Sequence, residues 1–368
     1  MLLLAAILLL TVVVSAYLVT LWHRLQNCNQ KPLDIKTFDN SNSPYHPSVF
    51  YFKEGWNGYK YWMAETPFSP SCKPYRDRNE CPSIHVSNDG IIWSEISKNP
   101  IDDLTEKEVA NLDYFSDPHL VFVKDRLECW YRKSDRHSKT DNHGNVTLNR
   151  KTTYDGKNWT EREILVDFKT GKSPLGKMVV SHSVIYTNSK YHIWYVDREH
   201  NITGGDMQRE ILYSISIDGK DWSVTNRCTL SGKETNPWHI DVNFIDGTFW
   251  LICYNYTDLT LWSSSNGIDF TYIKTILSPA SIGSFYSNGL YRAVLIKDDK
   301  YKLYFSADNY FKTFIGIMEG DDPTSLKIVS GKMGQFCSFL NMGLQIWLRK
   351  KNSAKFICRH FIKKITQR

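Results

Sequence analysis

Ionisable side chains stand at the openings of five short apolar runs in this chain. They are His46, then Asp117 and His119, then His182 between Ser181 and Ser183, then His239 and Asp241, and last Arg292. Imidazole exchanges protons near neutral pH, and a carboxylate beside it can act as base, nucleophile or counter-ion. Arg292 offers a planar fork suited to a carboxylate or phosphate. A second set lies slightly later in each unit: Glu65, Arg132, Asp197, Arg198, Asn255 and Asp308. These either turn toward the same place or begin solvated loops. A single residue of this kind would be an ordinary strand end. A set at matching positions requires a fold that brings them together. The His and Cys residues lack the fixed local spacing of a metal motif, so neither a metal nor another cofactor is expected. A site made of His46, His119, His182, His239 and Asp241 would have to be assembled entirely by the fold.

The elements that position these residues are marked by a recurring phrase. Ser87-Asn88-Asp89-Gly90-Ile91-Ile92-Trp93 is followed by Thr153–Trp159 and Ser216–Trp222, and by the weaker Ser264–Phe270. Asp-Gly and Asn-Gly between apolar runs signal a hairpin, here expected as a type I′ turn. Four copies at similar intervals signal a repeat of supersecondary units. Each unit opens with a strand (His46–Tyr51, Asp117–Phe122, Ser181–Tyr186, His239–Phe244, Leu290–Leu295). A second, aromatic-rich strand follows, as in Tyr191-His192-Ile193-Trp194-Tyr195. A third strand leads into the hairpin and a fourth leaves it. In the fifth unit the phrase has decayed to Met318–Asp322. Five four-stranded units predict an all-β, five-bladed β-propeller over residues 44–330. The first strands of such a fold line its channel, so their openings converge at one mouth.

The chain has 368 residues, of which 14 % are aromatic, enough for a large β core and for stacking surfaces suited to sugars. Residues 1–23 are almost wholly apolar as far as Trp22, long enough to cross a bilayer, and are expected as an N-terminal transmembrane helix. Residues 24–43 are expected as a polar linker. From Pro323 to Arg368 there is no Asp or Glu, and residues 331–368 form a basic tail with apolar residues at helix-like intervals. That pattern suits a membrane surface, so a membrane partner is expected through residues 1–22 and the tail, and no nucleic acid. Positive charge follows the span and none precedes it, which places the propeller on the cytoplasmic side; the alternative is periplasmic or extracellular. Cys72 and Cys81 flank one loop and could be bonded, though nothing in the spacing requires it.

On its blade count, its Ser-x-Asp-Gly-x-x-Trp hairpins and the Asp117-Pro118 opening of the second blade, the chain resembles the five-bladed glycoside hydrolases. These include the arabinanase and xylosidase group, the fructosidases and the mannoside phosphorylases. The resemblance spans about Pro44 to Ile328. It implies a carbohydrate partner and a glycoside hydrolase-like enzyme acting on a cell-surface or lipid-linked polysaccharide. The alternatives are glycosyl transfer or phosphorolysis on the same fold, and a glycan-binding propeller without catalysis. Such hydrolases use paired carboxyl groups. Here the first-blade position of the family's acid holds His46, and the third-blade position holds Ser181-His182. The catalytic candidates are therefore Asp117, Asp241, Glu65 and Asp197. The substrate-binding candidates are His46, His119, His182, His239, Arg292 and Arg132.

Overall fold

The computed structural model describes residues 32–68, 80–135, 145–170, 173–176, 178–197, 209–278, 289–308 and 312–329, with Thr11 and Ser15. The expected basic tail (331–368) and, apart from Thr11 and Ser15, the expected transmembrane span (1–23) lie outside these residues, as do Cys72 and Arg198. Among the described residues no helix is long and apolar enough to cross a membrane.

Five sheets follow one another in chain order. Blade 1 is β1 (Pro44–Trp56), β2 (Tyr59–Pro67), β3 (Ser83–Ser87) and β4 (Ser94–Glu95). Blade 2 is β5 (Tyr114–Val123), β6 (Arg126–Asp135), β7 (Asn145–Thr153) and β8 (Glu163–Asp167). Blade 3 is β9 (Val179–Thr187), β10 (Lys190–Asp197), β11 (Glu210–Ser216) and β12 (Asn226–Arg227). Blade 4 is β14 (His239–Ile245), β15 (Thr248–Tyr254), β16 (Leu259–Ser264) and β17 (Asp269–Leu277), with β13 (Thr229–Ser231) added in parallel to its outer strand. Blade 5 is β18 (Gly289–Lys297), β19 (Tyr301–Asp308), β20 (Thr313–Gly320) and β21 (Lys327–Val329). Strands within each blade pair antiparallel in sequence order, and the inner strands pack on one another around the channel.

No blade buries both faces alone, and the apolar residues divide into five clusters, one at each blade interface. Alternation along each strand explains this, since successive side chains point to opposite faces. In β2, Trp62 and Ala64 face blade 2, whereas Tyr61 and Met63 face blade 5. Leu33 and Ile35 join the blade 5–blade 1 cluster, and Leu33 N–H donates to Ile315 O at 2.9 Å. The segment expected as a polar linker is therefore, from Leu33 onward, part of the ring closure.

The hairpin phrase has a structural task that its sequence understated. Ser87, Thr153, Ser216 and Ser264 each accept the glycine N–H through the side-chain oxygen. Asp89, Asp155, Asp218 and Asn266 each accept the two backbone N–H groups that follow the glycine. Only the glycine of each phrase has positive φ. The expected type I′ turn is thus replaced by a side-chain-capped loop, because the Asp or Asn oxygen satisfies the donors that a tighter turn would satisfy. The loops lie not on an outer rim but against the preceding blade. Gly156 of blade 2 meets Trp62 of blade 1, Gly219 meets Trp130, Gly267 meets Trp194, and Gly90 of blade 1 meets Tyr304 of blade 5. Tyr304 Oη donates to Gly90 O at 3.0 Å, which closes the ring.

A Cβ at Gly156 would stand 2.0 Å from the Trp62 ring on a backbone of φ +74, whereas Gly58, at φ +88, has open space around it. Gly156→Ala is expected to cost about 2–4 kcal/mol and Gly58→Ala about 1 kcal/mol. Urea denaturation of both variants measures the difference, and equal costs would remove the interlock from the account.

Candidate functional site

The inner strands carry polar residues of two kinds, and the structure separates them. One kind stitches neighbouring blades together. Ser48 Oγ accepts Leu120 N–H at 2.9 Å, His119 Nε2 lies 3.0 Å from Val184 N, and Ser183 Oγ accepts Val242 N–H at 2.9 Å. Asn243 Nδ2 donates to Leu295 O at 3.0 Å, and Ser306 Oγ accepts His46 N–H at 3.0 Å. These bonds join blades 1 to 2, 2 to 3, 3 to 4, 4 to 5 and 5 to 1. Inner strands of different blades share no backbone ladder, so side chains serve the exposed donors and acceptors instead. Asp241 belongs to this layer. Its Oδ2 accepts Asn243 Nδ2 at 2.8 Å, and its Oδ1 is 3.9 Å from His119 Nδ1. Burial raises its carboxyl to about 7 despite the opposing pull of Arg292.

The second kind is aimed at the mouth by β-bulges. In β1, His46 and Pro47 together oppose one residue of β2; in β5, Asp117 and Pro118 do the same against β6; in β18, Tyr291 and Arg292 do so against β19. His46 and Asp117 have φ of 51° and 55°. Left-handed backbone at a non-glycine is strained, and it persists where surrounding structure fixes it, often at functional sites. Proline lacks an N–H and is tolerated at a bulge, so the His-Pro and Asp-Pro pairs are the sequence signature of this geometry. His239 needs no bulge, since β14 begins there in regular register.

Asp117 is the centre of the site. Its Oδ2 accepts Arg132 Nη1 at 2.9 Å, and Arg132 also donates to Val180 O at 2.6 Å. Its Oδ1 is 3.0 Å from His239 Nδ1 and 3.5 Å from Arg292 Nη1. Burial by itself raises this carboxyl, but its polar neighbours, among them the Arg132 guanidinium bonded to it, hold it well below the usual carboxylate range. The histidines are neutral. Burial lowers His46 and His119 to about 3, against the pull of Asp117 on His46 and of the Val184 backbone on His119. Burial also lowers His239 and His182.

His46, Asp117 and His239 each present one ligand atom within 4.8 Å of the others, and all three are buried. Tetrahedral bonds of about 2.1 Å separate ligand atoms by about 3.4 Å, close to the 3.0 Å His239–Asp117 approach. His46 Nε2, Asp117 Oδ1 and both His239 nitrogens have no hydrogen bond of good geometry, although His239 Nδ1 and Arg292 Nη1 both stand close to Asp117 Oδ1. Thr66 Oγ1 lies 2.8 Å from His46 Nδ1; with Thr66 accepting there, Nε2 presents its lone pair to the triad. Two neutral imidazoles and one carboxylate are a donor set for a divalent transition metal. The residues therefore fit a metal that their sequence spacing gave no reason to expect.

Arg292 lies beneath the triad, almost fully buried, and donates to His182 O at 3.0 Å and toward His119 Nδ1 at 3.3 Å. It was expected to meet ligand, but it faces the floor. His182 is likewise internal. Glu65 pairs with His85, Oε1 to Nε2 at 3.1 Å, on the face of β2 turned to blade 5. Asp197 packs beside Gly176, its Oδ2 3.3 Å from where a Cβ on that glycine would stand. Neither is in the triad. Three residues at the mouth were not singled out in the sequence. Glu80 Oε2 is 4.0 Å from His46 Nδ1. The Tyr291 ring lies 4.1 Å from that of His239, and Trp238 Nε1 donates to Tyr291 Oη at 2.9 Å. The proximity of Tyr291 to Arg292 in a bulged strand was the available signal; Glu80 follows a polar loop and had none.

Four neutral buried imidazoles make the fold acid-sensitive. Their folded pKa values lie below the unfolded one near 6.5, so the unfolded chain binds more protons and stability falls as pH drops below 6.5. Each can lose up to about 2 kcal/mol by pH 5. Asp241 and Glu65, raised by burial, act in the opposite sense, gaining stability as pH falls. Four groups outweigh two, so the urea midpoint of chelator-treated protein is expected to fall between pH 7 and 5. A flat or rising midpoint would contradict the neutral-histidine assignment.

No family model matches the chain. It is 25 % identical over 305 residues to an A type blood N-acetyl-α-D-galactosamine deacetylase of Flavonifractor plautii, covering 67 % of this chain and 37 % of that protein. The chain thus spans little more than a third of the length of this curated relative. Among solved structures, the N-acetylgalactosamine deacetylase of F. plautii in complex with blood group B trisaccharide superposes with a TM-score of 0.62 at 20 % identity, over 76 % of this chain and 86 % of that one. A GH43_1 enzyme from Xanthomonas citri complexed with xylotriose superposes with a TM-score of 0.57 at 7 % identity, over 84 % and 95 %. These likenesses establish the five-bladed propeller fold that the hairpin repeat predicted.

Proposed function

We propose that this chain is a divalent-cation-dependent hydrolase that removes an acyl group from an amino sugar of a glycan. The observation that carries the reading is the convergence of His46, Asp117 and His239 with unpartnered ligand atoms. The likeness to the F. plautii deacetylase supports the substrate class. Glycosidic cleavage, the reading drawn from the sequence, asks for two carboxyl groups facing one bond. Asp117 is held ionised against Arg132, Asp241 is bonded to Asn243, Glu65 is paired with His85, and Asp197 lies beside Gly176. That leaves no acid pair among the four carboxylates singled out in the sequence.

A bound divalent cation would supply Lewis acidity toward the acyl oxygen and a water of lowered pKa. The chain's own residues do the rest. His46, Asp117 and His239 would hold the cation. Thr66 fixes the His46 tautomer and Arg132 takes Oδ2, leaving Oδ1 for the triad. Tyr291 packs on His239 and limits its rotation. Arg292, a cation below Asp117, favours the negative charge that develops when water adds to the carbonyl carbon. Glu80, beside His46, is the carboxylate to take a proton from the attacking water and return it to the departing nitrogen; the carboxylic acid and amine so formed exchange the remaining proton, giving a carboxylate and an ammonium.

The test is turnover of the A-type blood-group trisaccharide with and without added Mn²⁺ or Zn²⁺. Acetate and a free amine are expected without new reducing ends. Chelator should abolish turnover, and Asp117→Asn or His239→Ala should lower it by more than about 100-fold. New reducing ends, or turnover indifferent to chelator, would overturn the reading in favour of glycosidic cleavage.

A further inference from the structure

We infer that Trp238 and Tyr256 form a stacking subsite for a pyranose ring of a neutral oligosaccharide, one ring away from the triad. The inference rests on the reading of the mouth as a carbohydrate site and adds where the sugar is held.

Tyr256 sits in the turn between β15 and β16. His239 pairs with Tyr254 at this end of blade 4, so the turn lies at the same end of the channel as the triad. The Asn255 side chain caps the turn by accepting the N–H groups of Thr257 and Asp258. Tyr256 has φ of 73°, a rare conformation for an aromatic residue. It is nonetheless 49 % exposed. Strain at an exposed aromatic gains nothing in core packing, and such outliers gather at ligand clamps.

The ring is held in place by its neighbours. The Arg209 guanidinium lies 4.3 Å from the Trp238 ring centroid and 5.1 Å from that of Tyr256. The two rings are 5.2 Å apart and 37° from coplanar. Trp238 is in turn tied to Tyr291, which packs on His239, and its own ring is 5.9 Å from the His239 ring. An immobilised aromatic surface therefore runs from the triad outward to solvent. Aromatic rings with a polar edge suit a ligand that is apolar on one face and polar at its rim. A pyranose has that character, with axial C–H bonds on its face and hydroxyls around it. Two other exposed aromatics, Tyr154 and Phe244, belong to the hairpin loops and to the far end of β14, away from the triad.

Tyr256→Gly removes the ring and relieves the backbone, whereas Tyr256→Phe keeps the ring. Calorimetric titration of the full chain uses methyl N-acetyl-α-D-galactosaminide, the A-type blood-group trisaccharide and xylotriose, each with and without chelator. Tyr256→Gly is expected to weaken binding of the best probe at least tenfold and Tyr256→Phe less than twofold, with bound metal per chain unchanged in both. If Tyr256→Gly binds as the unmodified chain does, or no probe binds that chain, the subsite is refuted. Failure of the metal reading looks different: binding sensitive to Tyr256→Gly would persist, with no metal bound and no acetate released.

Discussion

A buried negative charge at the mouth of the channel organises this protein. Asp117 is 1 % exposed, and stripping a carboxylate of water costs several kcal/mol even after the surroundings relax. The charge compensation comes from Arg132 of blade 2 and Arg292 of blade 5, with the His239 ring of blade 4 at 3.0 Å and His46 of blade 1 beside it. The β5–β6 hairpin already places Arg132 beside Asp117, whereas Arg292, His239 and His46 are near it only once the ring has closed. The interaction that creates the candidate site is therefore also one that only the complete propeller can satisfy. Arg132 and Arg292 divide the two oxygens unequally, and that inequality leaves Oδ1 facing two neutral imidazoles.

Among the described residues, ring closure is achieved without a strand shared between the first and last blades. Apolar clusters supply most of the adhesion at each interface. The capped hairpins fix the register by placing a glycine against the aromatic of the preceding blade, as Gly267 does against Trp194, whose Nε1 donates to Gly267 O at 2.6 Å. The inner ring of side-chain bridges then satisfies backbone groups that would otherwise line the channel unpaired. Polar residues at the strand openings thus have two masters. Ser183, His119 and Asp241 maintain the ring, while His46, Asp117 and His239, displaced by bulges or placed at a strand start, face the mouth.

That division explains what was legible in the sequence. The propeller was readable because every blade repeats the same local chemistry, and the apolar runs alternate as strands must. The ten candidate site residues included all three members of the triad. They did not reveal that Asp241 and His119 are stitching groups, because both classes of polar residue occupy the same face with the same period of two. Telling them apart requires the one-residue offset of a bulge, of which Pro47 and Pro118 are the only sequence trace in blades 1 and 2. Tyr291 reaches the mouth by a bulge with no proline. Trp238 and Tyr256 lie just outside their strands, where periodicity carries no information. A spacing rule for metal motifs cannot register this cluster, since His46 and His239 come from blades 1 and 4 and only closure makes them neighbours.

The most direct measurement is a crystal structure of the full chain soaked in Mn²⁺, with anomalous scattering recorded at the manganese edge. A single strong anomalous peak bonded to His46 Nε2, Asp117 Oδ1 and a His239 nitrogen, absent from Asp117→Asn crystals, is the predicted result. No peak between these residues, with Arg292 closed directly onto Asp117 Oδ1, would show that the cluster is an internal ion network and would contradict the account.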